Sequence, residues 1–445
     1  MTNSNFTRRS VLRGTAATGA GILGGTDLLN FTKAWAQEAP WKPEAGAKLN
    51  VLRWKRFVIA EDEAFVALVG AFSKATGIEV NITNESFDDI QPKASVAAST
   101  GQGPDLVWGL HSLPHLFPDK VNDLTDVADY LGKKYGGWVP AAEGTCKKDG
   151  KWIGIPVAFN GGYMNYRIKA MSDAGFKEFP KDTGGFLELC KAMKAKNTPA
   201  GFALGHATGD ANGWLHWALW SHGGYLIDKD NKVSINSPET AKSLEYAKAL
   251  YDTFIPGTAS WNDSSNNKAF LSGELFLTAN GISIYAAAQA AGKGGDAKQQ
   301  AIADDMDHAL FPVGPVGKPQ ELQLCFPILQ FGYTKVPNAG KAFIAFMMEA
   351  AQYGPWLSAA VGYLTQPLNE YEKLPFWTTD SKRTVFRDCA KRSLTAAGIG
   401  KMDEKAASAI ADFIVVDMYA AYCTGGTDLK GAIAQAERSA QRLYR

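Results

Sequence analysis

Trp54-Lys55-Arg56-Phe57 ends one apolar run, Trp108-Gly109-Leu110-His111 ends another, and Phe159-Asn160 closes a third. Asn212-Gly213-Trp214 stands where a helix should open, and Trp261-Asn262-Asp263 falls between patterned segments. Asn280 and Ser283 follow the apolar stretch 275–279. Aromatic rings beside planar amides, carboxylates and guanidinium groups suit one task well: holding a solute with apolar C–H faces and many hydroxyls. The candidate ligand-binding residues are therefore Trp54, Arg56, Trp108, His111, Asn160, Trp214, Trp261, Asn262, Asp263, Asn280 and Ser283. Trp54 and Trp108 fit equally well as core residues at strand ends, and Lys55 and Arg56 as solvated charges. Trp214, Trp217 and Trp220 spread over roughly 120° of a helix surface, so they cannot all face one ring. Trp214, in the first turn, is expected to meet ligand, and the other two to be core.

The chain offers little for catalysis. There is no Gly-x-Gly-x-x-Gly after a strand, no Gly-x-Ser-x-Gly, no His-Glu-x-x-His and no multi-His copper pattern. The doublets Asp88-Asp89 and Asp304-Asp305 read as cap or loop charges rather than a glycosidase pair. His111 and His115 flank Pro114, which argues against a helical metal pair, and the five cysteines contain no Cys-x-x-Cys. No catalytic residue, metal or cofactor is expected. In an oxidising compartment one or two disulfides could form, but an odd count leaves one thiol over, and most should be buried as small apolar groups.

The elements that position these residues alternate. Segments 49–54, 78–83 and 104–108 read as strands, and 61–75 and 88–99 as the helices between them. That order implies a parallel, helix-covered sheet. A second α/β stretch begins near Trp152, with strands at 153–159 and 162–166 and helices at 186–194, 214–221 and 238–251. Further helices are predicted at 339–351, 406–420 and 429–443. Gly154 and Pro156 punctuate a strand in a way that suits a chain crossing between lobes, while Pro104 and Asp105 read as scaffold.

Arg8-Arg9, a weakly apolar run from Gly14 to Leu29 and Ala34-Trp35-Ala36 resemble a twin-arginine export signal cut after Ala36. An ordinary secretory signal is the plainer alternative. No cysteine follows the cut, and no later segment holds eighteen uninterrupted apolar residues. Removing residues 1–36 leaves 409 residues, enough for two lobes, and a formal charge of −2. Such a chain is a poor binder of nucleic acid or anionic membrane.

Several spaced motifs carry a resemblance. Gly101-Gln102-Gly103-Pro104-Asp105-Leu106-Val107 resembles a Gly-x-x-Pro-Asp-Val element of family 1 extracellular solute-binding proteins, the group containing the maltodextrin-binding proteins. Gly150-Lys151-Trp152-Ile153-Gly154-Ile155-Pro156, then Tyr163-Met164-Asn165-Tyr166, is similar to their hinge entry and the strand after it. Ala269-Phe270-Leu271-Ser272-Gly273-Glu274 and Phe311-Pro312-Val313-Gly314-Pro315 resemble two further elements. The resemblance implies an α/β, two-lobed periplasmic binding protein fold, each lobe a helix-covered mixed sheet. The lobes would be 37–158 with about 307–365, and 159–306 with about 366–445. It also implies a monomer that carries a small ligand, a sugar or polyol, to the transmembrane subunits of an ABC permease, after passage through the twin-arginine translocase. At Asn160 maltodextrin-binding relatives carry a ligand-contacting carboxylate, and the amide here favours a neutral polyol over a cation. Ser283 stands where a Trp is frequent, which removes that stacking platform. A polyamine or other non-sugar solute is the second reading and an exported enzyme the third.

Overall fold

The computed structural model describes residues 25–445, with side chains from Thr32 onward, so Arg8 and Arg9 lie outside the described residues. In chain order the strands are β1 (Lys48–Trp54), β2 (Glu79–Glu85), β3 (Leu106–Trp108), β4 (Lys147–Lys148), β5 (Lys151–Trp152), β6 (Ile155–Asn160), β7 (Tyr163–Arg167), β8 (Leu277–Asn280), β9 (Met306–Ala309) and β10 (Leu324–Gln330). Two sheets carry the two halves of the molecule. The larger runs β2-β1-β3-β10-β6 and the smaller β8-β7-β9, while β4 and β5 form a separate hairpin.

The parallel core β2-β1-β3 follows the predicted alternation, with Val51 opposite Leu106. Between β1 and β2 the helix Ile59–Thr76 buries Phe65, Leu68 and Phe72. It stops at Gly77, whose φ of 75° lets its N–H reach the Ser73 carbonyl. β10 inserts antiparallel between β3 and β6 and makes the sheet mixed. Every residue of β6 and β10 is buried, as strands covered on both faces must be. Prolines in such central strands remove ladder donors. Here Pro156 lies opposite Pro327, where the register shifts, so the two imide positions share one irregularity.

The expectations for Gly154 and for the helix 406–420 change in detail. Gly154 is not where the chain crosses. A Cβ there would sit 2.8 Å from Pro114 and 3.3 Å from the Ile328 carbonyl, so glycine serves close packing between the turn at Pro114 and β10. The crossing falls at Gly161-Gly162, between the end of β6 and the start of β7. Asp105 is scaffold, tying β1 by accepting from the Asn50 N–H at 2.8 Å and from the Thr334 hydroxyl at 2.6 Å. The predicted helix at 406–420 breaks at Phe413, whose φ is 54°, into Glu404–Ala411 and Ile414–Cys423. All five cysteines are buried thiols.

At the amino-terminal side, the bond after Ala36 lies inside the helix Gly25–Glu38. Trp35 of that helix is buried against Phe72 and Phe346, with ring centroids 6.4 and 5.2 Å away.

Candidate functional site: an interlobe cleft of aromatic rings and carboxylates

Strand ends from the two sheets meet across a cleft that spans about 520 Å³, counting the space open to solvent. From the first sheet come Phe57 after β1, Phe87 after β2, Asn160 at the end of β6 and Leu324 at the start of β10. From the second side come Asp210 and Trp214 of the helix Asp210–Ser221, Asp263 of a loop, and Asn280 at the end of β8. Ser283, Phe311, Gln323 and Tyr363 complete the polar and aromatic wall.

Close approaches fix this arrangement. Asp263 Oδ1 accepts from the Gly209 and Asp210 N–H groups at 3.0 and 2.8 Å, capping the helix from outside its own sequence. A Cβ at Gly209 would stand 3.0 Å from that oxygen. One at Gly281 would stand 2.6 Å from Asn160 Oδ1, so a side chain there would displace the amide. Asn160 donates its Nδ2–H to the Tyr363 carbonyl at 2.8 Å. Asn280 donates to Asn267 Oδ1 at 2.6 Å, and Asn267 to the Ser283 hydroxyl at 3.0 Å. Gln323 closes the floor at the crossing: its Oε1 accepts from the Gly162 N–H and its Nε2 donates to Glu321. Glu321 is in turn held by Tyr163 and Arg392.

The electrostatics are one-sided. Burial pushes the Asp263 carboxyl up to about 7, with Asp88 adding to the shift. Asp210 is driven the same way, by burial first and then by the charge of Asp263. Both carboxyls sit deep in the cleft while keeping part of their surface open to it.

Of the sequence-derived candidates, Asn160, Trp214, Asp263, Asn280 and Ser283 line the cleft. The other six do not. Trp54 and Trp108 are fully buried and pack edge to face, 5.7 Å apart. Arg56 lies between them, 3.9 and 4.0 Å from their ring centroids, and pairs with buried Glu61 at 3.0 Å. These three are core because the sheet is covered on both faces, which makes strand-end position a poor guide to exposure. His111 spans the two sides instead, its Nε2 lying 2.8 Å from the Thr208 carbonyl. Burial lowers its pKa to about 4, so it bridges as the neutral ring. Trp261 packs over Gly201, and Asn262 turns to solvent, accepting from the Ser264 N–H and the Ser264 and Ser265 hydroxyls.

Trp214 combines two roles that the sequence reading kept apart. It lines the cleft, yet it is fully buried, donates its Nε1–H to the Ala203 carbonyl at 2.7 Å and packs on Phe202 and Phe254. Trp217, stacked on Phe311 and bonded to the Pro312 carbonyl, is core as expected, and so is Trp220. Phe57, Phe87, Asp210, Gln323 and Tyr363 were missed. Phe57 lay within a singled-out cluster and Asp210 two residues before another, while nothing local marks Tyr363.

A mixed five-stranded sheet and an antiparallel three-stranded one, linked at Gly161-Gly162 with a polar and aromatic cleft between them, define a two-lobed solute receptor. The family described as bacterial extracellular solute-binding protein matches residues 67–385, well over half of the chain, and this protein belongs to it. It is 23% identical over 314 residues to a Deinococcus radiodurans protein named probable ABC transporter-binding protein, covering 66% of this chain and 69% of that one. In fold it is similar to maltose-bound MalE3 of T. maritima, with a TM-score of 0.75 at 18% identity, over 89% of this chain and 100% of that one. It is likewise similar to an ABC transporter solute-binding protein of Agrobacterium radiobacter in complex with ribitol. There the TM-score is 0.73 at 17% identity, over 90% of this chain and 100% of the other.

Proposed function

We propose that this protein is the periplasmic receptor of an ABC importer, that it holds a carbohydrate or related polyol between its lobes, and that it delivers the ligand to an inner-membrane permease. The observation that carries the reading is the cleft itself: Phe57 and Phe87 line it with apolar rings beside the acceptors of Asn160, Asp210 and Asp263. That is the chemistry a hydroxylated ring needs. Relatives of the same fold bound to maltose and to ribitol support it. The lobes are 37–160 with about 310–365, and 161–309 with about 366–445. Because β9 pairs with β7, we place the middle junction after Ala309. Residues 1–36 act as a twin-arginine signal, and the mature receptor works as a monomer.

Ligand should draw the lobes together, since each contributes one wall. A thermal-shift screen of sugars and polyols, beside mass spectrometry of whatever co-purifies, identifies the ligand. At about a hundred times its dissociation constant it should stabilise the protein by roughly 2.7 kcal/mol. Small-angle scattering should show compaction. Binding without compaction would refute the clamshell. For export, Arg8→Lys with Arg9→Lys should leave uncleaved precursor in the cytoplasm, and unchanged export of that variant would restore an ordinary secretory signal.

A further inference from the structure

The cleft is rich in acceptors and poor in positive charge. Among the described residues that line it there are two carboxylates and no lysine, arginine or histidine. Arg56, behind the first-sheet wall, is already paired with Glu61 and clamped between two indoles. Asp263 spends Oδ1 on two backbone N–H groups, while its Oδ2 is buried with no partner. The positive end of the helix Asp210–Ser221 is therefore engaged by one oxygen, and the other is left for something else. Asp210 Oδ2 accepts from Asn266 at 2.7 Å.

A separate observation points the same way. Asn160 is only 8% exposed, and its amide orientation is fixed because the Tyr363 carbonyl can only accept. Its Oδ1 is consequently the atom turned toward the cleft, a further acceptor without a donor.

We propose that the natural ligand is a sugar or polyol carrying a protonated amine, seated between Asp210 and Asp263. This rests on the carbohydrate reading above and narrows it. Two desolvated carboxylates without a counter-charge are costly, and each hydroxyl of a neutral sugar supplies a single donor. An ammonium group supplies up to three donors and the missing charge. Phe57 and Phe87 then serve the C–H faces of the ring, and an ammonium beside them gains from their π-faces. The amide at Asn160 does not oppose a cation, since its free atom is an acceptor. The groups facing the pair are Asp88 beyond β2, Tyr363, Asn266 and the backbone N–H groups of Thr208, Gly209 and Asp210; none carries positive charge.

The test is calorimetry at pH 7.5 with matched compounds that differ at one nitrogen. Suitable sets are glucosamine, N-acetylglucosamine and glucose; chitobiose, diacetylchitobiose and cellobiose; glucamine and sorbitol; with spermidine as the amine lacking a polyol. At least one amine-bearing sugar or polyol should bind tenfold or more tighter than its neutral counterparts. Asp210→Asn and Asp263→Asn should each remove that preference while thermal melts show both variants folded. If neutral members bind as tightly as their amines, or no amine-bearing sugar or polyol binds, the inference is overturned and the carbohydrate reading stands or falls on the neutral compounds alone. Binding of spermidine by itself overturns both.

Discussion

Replacing Glu61 by glutamine should destabilise the folded protein by about 3–5 kcal/mol, the usual cost of removing one partner from a buried ion pair. Glu61 and Arg53 are both fully buried, and Arg56 nearly so. Glu61 Oε2 lies 3.3 Å from Arg53 and 3.0 Å from Arg56, and its Oε1 accepts the Trp356 Nε1–H at 2.7 Å. Arg53 has Asp62 as a second, half-exposed partner at 3.0 Å, whereas Arg56 has no other carboxylate at contact distance. Burial, followed by the charge of Arg56, lowers the Arg53 pKa to about 9, which shows how little solvation the pair retains. Glutamine keeps the acceptor for Trp356 and the shape of the side chain, so the loss isolates the charge. The rings help: Arg53 sits 4.0 Å from the Phe65 centroid, and Arg56 lies between Trp54 and Trp108. Such contacts are each worth about 0.5–2 kcal/mol and cannot replace the carboxylate. Urea melts of Glu61→Gln decide it, and a loss below about 1 kcal/mol would mean that the ring sandwich alone carries the guanidinium groups. Adding Arg56→Met to Glu61→Gln should recover part of the stability, because one stranded charge then disappears.

The architecture was legible because its signals are local. The apolar runs of β1, β2 and β3 and the amphipathic helix between the first two lie in consecutive sequence, and their order dictates parallel pairing. β10 was not singled out. It reaches its place between β3 and β6 from about 160 residues downstream, and nothing near it announces a partner. The site divides the same way. Asn160 and Asn280 end strands that stop at the cleft, so strand-end reasoning found them. The identical reasoning failed at Trp54 and Trp108, because a sheet covered on both faces buries strand ends as thoroughly as strand centres. The Asp210–Asp263 pair joins residues more than fifty positions apart through a loop that caps a helix, and only tertiary structure brings them together. Asn160 bears on a cation at one position, whereas the charged groups of the lining, Asp210 and Asp263, come from two other segments.

That pair should also shape how the ligand-free receptor responds to pH. Both carboxyls have folded-state pKa values raised above their ordinary values, Asp263 from 3.8 to about 7. The folded state therefore holds protons that the unfolded chain has released, and linkage makes stability fall as pH rises through the window from 3.8 to about 7. At pH 4 the penalty is nearly absent. Above about pH 7 the Asp263 part is complete, on the order of 2 kcal/mol after allowing for the solvent that reaches that carboxyl. Asp263→Asn removes the charge yet keeps an Oδ1 to accept from the Gly209 and Asp210 N–H groups. The variant should match wild type near pH 4 and exceed it by about that margin at pH 8, with a flatter profile between. Receptors gain by this kind of strain, since a site held unsatisfied when empty favours the ligand that satisfies it. A cationic ligand would lower both pKa values on binding and release protons, so its affinity should rise from pH 5.5 to 7.5 while that of a neutral sugar stays nearly level. Denaturant melts at pH 4, 6 and 8 measure the first effect directly. Equal stability of variant and wild type at pH 8 would show that the carboxyl is solvated in the empty cleft. A variant less stable than wild type at every pH would show that the negative charge on the helix cap outweighs its burial.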